Sequence, residues 1–145
     1  MSEENKALSR RAIEELFNMG NLEAGDEFIA QDHVHHDPTM PEEAHGLEHF
    51  KQFASMYRSA FPDVHIEIED QIAEGDKVAS RWVARGTHQG DLMDIAPTGN
   101  RVEVAGMTID RIADGKIAET WDNYDAMGMM QQLGVIPSPE QQAQA

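Results

Sequence analysis

Asp122 is the residue of this sequence best placed to do chemistry. It stands in the run Lys116-Ile117-Ala118-Glu119-Thr120-Trp121-Asp122-Asn123-Tyr124-Asp125, which follows an Asp114-Gly115 turn and reads as a strand. Side chains alternate across a strand, so Ala118, Thr120, Asp122 and Tyr124 are expected on one face. A carboxylate among small and aromatic neighbours costs free energy unless it is well hydrogen-bonded or used. The use on offer is proton transfer. A carboxylate in apolar surroundings is a stronger base than one in water, and it can deprotonate a carbon between two carbonyls if a donor steadies the enolate. The alternative is a structural acid bonded to backbone or to an arginine.

His88 is expected to share the face of Trp82 on the long strand Val78 to His88, where its imidazole would be that donor or a proton shuttle. It reads equally as a core histidine with a satisfied partner. Tyr57 and Tyr124 are further donors, or packing residues whose hydroxyl finds a partner. The cluster His33-Val34-His35-His36-Asp37 places His33 and His35 on one face of an extended segment, at a metal-ligand spacing that needs Asp37 or His88 as a third ligand. The reading adopted is no metal and no cofactor, with His36 at the pocket mouth. Asp70 falls on the face of Val64, Ile66 and Ile68 unless a bulge turns it outward. Two inward acids would suit a dehydratase or an epoxide hydrolase, one acting as base and the other as proton donor.

These residues need elements to hold them. The first helix is expected over Ser2 to Asn18, with Leu8, Ala12, Ile13, Leu16 and Phe17 at helical spacing, and Gly20 breaks it. A second, short helix follows from about Leu22 to Ile29, and then a strand or loop from Asp32 to Pro41. A third helix begins after Gly46 on the stripe Leu47, Phe50, Phe53, Ala54 and Tyr57, and stops at Phe61-Pro62-Asp63. The pattern then turns to strands: Val64 to the Glu74-Gly75-Asp76 turn, Val78 to His88, Arg101 to Ile112, and Lys116 to Asp125. Gly90 to Asn100 is a loop, and Met127 to Leu133 closes with a short helix. Met127, Met129 and Met130 suit an adaptable apolar pocket, the core or a dimer interface. Helices first and hairpin strands after give an α+β domain, with the helices on one face of a curved sheet and a deep apolar pocket between. We expect one domain over residues 1–137 and a disordered polar tail over 138–145.

Composition narrows the partners. A net charge of −16 is the wrong sign for nucleic acid or for an anionic membrane face. No apolar run approaches the roughly 20 residues of a membrane span. The start Met1-Ser2-Glu3-Glu4-Asn5-Lys6 lacks a signal-peptide pattern, and with no cysteine there is no disulfide framework. A cytoplasmic location is expected.

Several short pieces occur in one order: Phe61-Pro62-Asp63, Ile72-Ala73-Glu74-Gly75-Asp76-Lys77-Val78-Ala79, Gly86-Thr87-His88-Gln89-Gly90, Pro97-Thr98-Gly99, Arg111-Ile112-Ala113-Asp114-Gly115-Lys116-Ile117, Glu119-Thr120-Trp121-Asp122 and Gln132-Leu133-Gly134, with His36-Asp37-Pro38 upstream. As an ordered set they resemble the SnoaL-like polyketide cyclase and ester cyclase family, which has the cone-shaped NTF2-like fold. The resemblance implies a curved antiparallel sheet wrapped around N-terminal helices, a homodimer or tetramer, and metal-free closure of a ring by an intramolecular aldol reaction. It makes Asp122 the general acid/base, and His88, from its place on the long strand, is the assistant we expect. It implies a helix-covered pocket, in which we expect a small apolar carbonyl compound contacted by His36, Tyr57, Trp82, Thr108 and Tyr124. Thr108 stands where some members carry an assisting His, and Asp94 stands where the loop has Gly. An isomerase, dehydratase or epoxide hydrolase on the same scaffold is the second enzyme reading. A non-catalytic ligand-binding domain is the third.

Overall fold

A computed structural model describes residues 2–40 and 42–136, so the expected tail lies outside the described residues. Helix α1 (Ser2–Ile13) has Glu3 and Glu4 in its first turn and Arg10 and Arg11 in its last, charges that suit its dipole. It continues through a wider turn over Glu14–Asn18 that buries Leu16. A tight turn at Leu22–Ala24 and the short helix α2 (Gly25–Phe28) bring Phe28 inward. Strands β1 (Ile29–His36) and β2 (Ala44–His45) precede helix α3 (Leu47–Ala60), which buries Leu47, Phe50, Ala54 and Ala60 along one stripe. Strands β3 (His65–Glu74), β4 (Lys77–Thr87), β5 (Arg101–Ala113) and β6 (Lys116–Tyr124) follow, and then helix α4 (Ala126–Gln132). The carboxylate of Asp125 caps α4 by accepting from the amide of Gly128 at 2.9 Å.

The six strands form one sheet in the order β2-β1-β6-β5-β4-β3. Hairpins join β3 to β6 in antiparallel pairs, as expected. The join between β1 and β6 is parallel, which the expectation of an antiparallel sheet did not include. At the β5–β6 turn Asp114 and Gly115 both have positive φ, 53° and 76°, the paired left-handed geometry whose twist suits a two-residue hairpin.

Two bulges decide which side chains face inward. On β6, Glu119 pairs with Arg111 and Ile117 with Ile112, so Ala118 is an extra residue. Ile117 therefore takes the inward place given to Ala118 by strict alternation, while Thr120, Asp122 and Tyr124 face inward as expected. On β3 a shift between Ile68 and Asp70 sets Asp70 opposite Arg81, exposed and outward. Inside, one apolar cluster gathers Leu16, Phe28, Ile29 and Phe50, and a second gathers Phe61, Leu92, Val102, Val104 and Met129. A cavity of about 120 Å³ lies between the helices and the sheet, with walls drawn from both clusters.

Candidate active site

The inner face of the β5–β6 pair carries the polar groups of this cavity. β6 contributes Thr120, Asp122 and Tyr124, and β5 contributes Thr108 and Asp110. In the antiparallel register Thr108 faces Asp122 and Asp110 faces Thr120, so the two carboxyls are diagonal neighbours.

Asp122 is held from both sides. Thr108 Oγ1 donates to Oδ1 at 2.6 Å, and His35 Nε2 lies 2.6 Å from Oδ2. Trp82 Nε1 donates to Thr108 Oγ1 at 2.8 Å, so the threonine's own hydrogen goes to the carboxylate. An ionised carboxylate only accepts, which places the proton of a neutral His35 on Nε2. The imidazole is wedged edge-on against Phe50 and Phe53, with ring centroids 5.3 and 4.6 Å away. The indole fits because position 106 is glycine, where a Cβ would collide with the Trp82 ring. A carboxylate can accept about four hydrogen bonds, so Asp122, 12% exposed toward the cavity, keeps capacity for a ligand proton.

Beyond Asp122 the cavity meets two phenols. Tyr57 and Tyr124 hydroxyls lie 3.2 Å apart, and Tyr124 donates to Asp37 Oδ1 at 3.1 Å. Asp37 Oδ1 also accepts from the amide and hydroxyl of Thr39. With Tyr124 committed to Asp37, Tyr57 is the donor between the two phenols. Burial pushes Tyr57 up to about 12 and Tyr124 further up, the second helped by Tyr57 itself, so both remain O–H donors.

On the other side of Asp122 is a second polar chain. Ser9 Oγ donates to Asp110 Oδ2 at 2.9 Å, Thr120 Oγ1 donates to Oδ1 at 2.8 Å, and His33 Nε2 lies 2.8 Å from Thr120 Oγ1. Thr120 spends its hydrogen on Asp110, so His33 donates through Nε2, and its Nδ1 is buried without a partner. Burial raises Asp110 to about 6 and lowers His33 to about 4.

Two of the expected site residues lie elsewhere. β4 ends at Thr87, so the alternation that put His88 beside Trp82 stops one residue short. His88 Nδ1 instead accepts from the Thr98 amide at 3.1 Å, its ring lies 5.4 Å from Phe61, and it is outside the cavity wall. Its backbone also bonds Asn100 and Gly99, so His88 clasps the neck of the loop between β4 and β5. His36 points the other way from His35: its ring stacks on Trp121 at 5.3 Å and its Nε2 meets Glu119 at 2.7 Å. The parity of β1 turns His33 and His35 inward, where His36 was the one expected at the pocket mouth. Tyr57, Trp82, Thr108 and Tyr124 do line the cavity with Asp122, and Met129 joins them while Met127 is exposed.

Asp110 was not among the expected site residues, although its parity with Thr108 on β5 carries the signal. Ser9 had none, being a polar residue inside an apolar helical stripe. Among the described residues His35, Asp37 and Asp122 each offer a ligand atom within 4.8 Å of the others. Their hydrogen-bonded atoms are committed to Thr108, Thr39, Tyr124 and one another.

The model of the SnoaL-like polyketide cyclase family matches residues 7–133. The aklanonic acid methyl ester cyclase DnrD of Streptomyces peucetius is 31% identical over 140 residues, covering 92% of this chain and 93% of that one. The nogalonic acid methyl ester cyclase of Streptomyces nogalater is 32% identical over 120 residues, covering 81% of this chain and 89% of its own. The crystal structure of AclR from Streptomyces galilaeus, described as a hydroxylase, superposes with a TM-score of 0.83 at 30% identity, over 95% of this chain and 85% of that chain.

Proposed function

The chain belongs to the SnoaL-like polyketide cyclase family, and on that footing we propose that Asp122 is the general base of an intramolecular aldol-type ring closure on a polyketide-derived ester. One observation carries the reading: a carboxylate at the wall of an apolar cavity has one oxygen fixed by Thr108 and the other by His35. Asp122 takes the proton from carbon flanked by two carbonyls. The enolate carbon attacks a ketone of the same molecule, a carbon–carbon bond forms, and the resulting alkoxide takes the proton back from Asp122. Tyr57 turns its O–H from Tyr124 to the enolate oxygen, the part first considered for His88. His35 is a positioning residue, because it is outside the cavity lining and reaches substrate only through Asp122, and Thr108, although it lines the cavity, spends its hydrogen on Asp122. Trp82 and the aromatic residues of α3 exclude water, which strengthens these interactions.

The test uses the purified protein with aklanonic acid methyl ester and nogalonic acid methyl ester, followed by chromatography, and with benzoylacetone in D₂O, followed by NMR. Ring closure of either ester, and exchange at the diketone carbon faster than in buffer, support the base assignment. No catalysis of either reaction overturns it and leaves ligand binding without chemistry. We place the enzyme in the cytoplasm on its acidic, cysteine-free sequence. Among the described residues no helix is long and apolar enough to cross a membrane.

We also propose that the protein is a homodimer joined through the outer face of the sheet. Met107 is 53% and Ile109 41% exposed on adjacent outward positions of β5, and Ile109 faces Trp121 across the β5–β6 register. An apolar patch on an open sheet face marks an association surface. Light scattering should give a dimer or tetramer mass for the native chain and a monomer mass when Met107→Glu and Ile109→Glu are combined. An unchanged mass would show that the face is not used.

A further inference from the structure

The cavity holds two carboxyls, and the base assignment uses only one. We propose that Asp110 is a second catalytic residue, a general acid that expels the hydroxyl of a β-hydroxy carbonyl compound as water, giving this site an aldol dehydration activity. The inference rests on Asp122 acting as the base.

Geometry supports the pairing. Asp110 and Asp122 lie diagonally across neighbouring antiparallel strands on one face, a separation of about 7 Å, and both line the same cavity. A molecule whose acidic C–H faces Asp122 can therefore present the oxygen on its adjacent carbon to Asp110. In the elimination the C–H bond breaks and its proton goes to Asp122. The electron pair forms the C=C bond, the C–O bond breaks, and the departing hydroxyl takes the Asp110 proton and leaves as water. The two carboxyls then exchange their proton difference with solvent, so no oxidant, reductant or other co-reactant is needed.

Environment separates the roles. Asp110 has 6% of its surface exposed, with no lysine or arginine among its hydrogen-bond partners. The groups facing it are the Ser9 hydroxyl from α1, Thr120 and Asp122 from β6, and His33 and His35 from β1. Burial, with the charge of Asp122 adding to it, favours the protonated carboxyl, opposed by the donors Thr120 and Ser9. Thr120 and His33 are positioning residues. Their hydrogens point toward Asp110 when it is ionised, and both can reverse when it is protonated, since the bare Nδ1 of His33 can carry the imidazole proton instead. A merely structural acid tying α1 to the sheet would need Ser9 but no histidine behind the threonine.

The probe is 3-(α-hydroxybenzyl)pentane-2,4-dione, a β-hydroxy diketone whose α-hydrogen lies between two carbonyls. Its α-hydrogen exchange is read by NMR in D₂O, and its elimination to the conjugated enone by ultraviolet absorbance. The native chain should do both, with elimination falling as pH rises through about 6 while exchange does not. Asp110→Asn should lower elimination about a hundredfold more than exchange. Ser9→Ala, which keeps the carboxyl and removes one donor to its ionised form, should carry elimination to higher pH. Exchange without elimination in the native chain, or an equal loss of both in Asp110→Asn, overturns the role of Asp110. Loss of exchange as well as elimination in the native chain overturns the base assignment and this inference with it.

Discussion

Asp122→Asn should abolish ring closure and α-proton exchange, lowering either rate by about 10²- to 10⁴-fold, while the protein keeps its fold. The amide fits the place of the carboxylate. Its oxygen accepts from Thr108, whose hydrogen is directed there by Trp82, and its NH₂ donates to His35 Nε2 once the imidazole moves its proton to Nδ1. Melting temperature and near-ultraviolet circular dichroism should therefore stay close to native. Thr108→Val should act differently. It strands the buried Trp82 N–H, at a cost of about 1–3 kcal/mol, and it frees one Asp122 oxygen, so stability and rate fall together. Steady-state rates beside urea titrations distinguish the two. An Asp122→Asn protein that turns over at more than a tenth of the native rate would remove Asp122 from the mechanism.

The second large effect is on stability. Asp110 titrates at about 6 in the folded chain against an ordinary 3.8, so its contribution is complete at low pH and is lost as pH rises through 6. His33 titrates at about 4 against an ordinary 6.5, so its contribution is complete above 6.5 and is lost as pH falls through 4. Between these values the two slopes oppose each other, and native stability should show little of either. Asp110→Asn removes the carboxyl slope, so stability relative to native should rise with pH between about 4 and 6. His33→Gln removes the histidine slope, so stability relative to native should fall with pH between about 4 and 6.5. Each shift is about two pKa units, which amounts to about 3 kcal/mol across the window. Urea titrations at pH 4, 5, 6 and 7 read this directly. Parallel curves for the two variants would mean that the groups are not buried as a pair.

Much of the fold was readable from alternation and turn residues. The hairpin strands, the stripe of α3 and the short closing helix all follow from local patterns. What alternation could not supply was the position of breaks in it. The bulge at Ala118 exchanged it for Ile117, and the end of β4 at Thr87 sent His88 into the loop clasp. Asp122 was legible because the pattern around it is unbroken from Thr120 to Tyr124. Its partner was not, because His35 comes from a strand whose pairing with β6 has no local sequence signal. The family resemblance pointed to the strand of Thr108 for an assisting group; the structure has a threonine relay there and the imidazole on the opposite side.

The parallel join between β1 and β6 also bears on how the molecule comes together in time. His35 and Asp122 are 87 residues apart, and only that join brings them into contact. The hairpins from β3 to β6 can form from neighbouring segments, whereas closing this long loop carries a larger entropy cost. During synthesis β1 emerges early and must wait for the last strand. Asp122 and its imidazole partner should therefore meet late in folding, and weakening the β1–β6 seam should raise the unfolding rate more than it slows refolding.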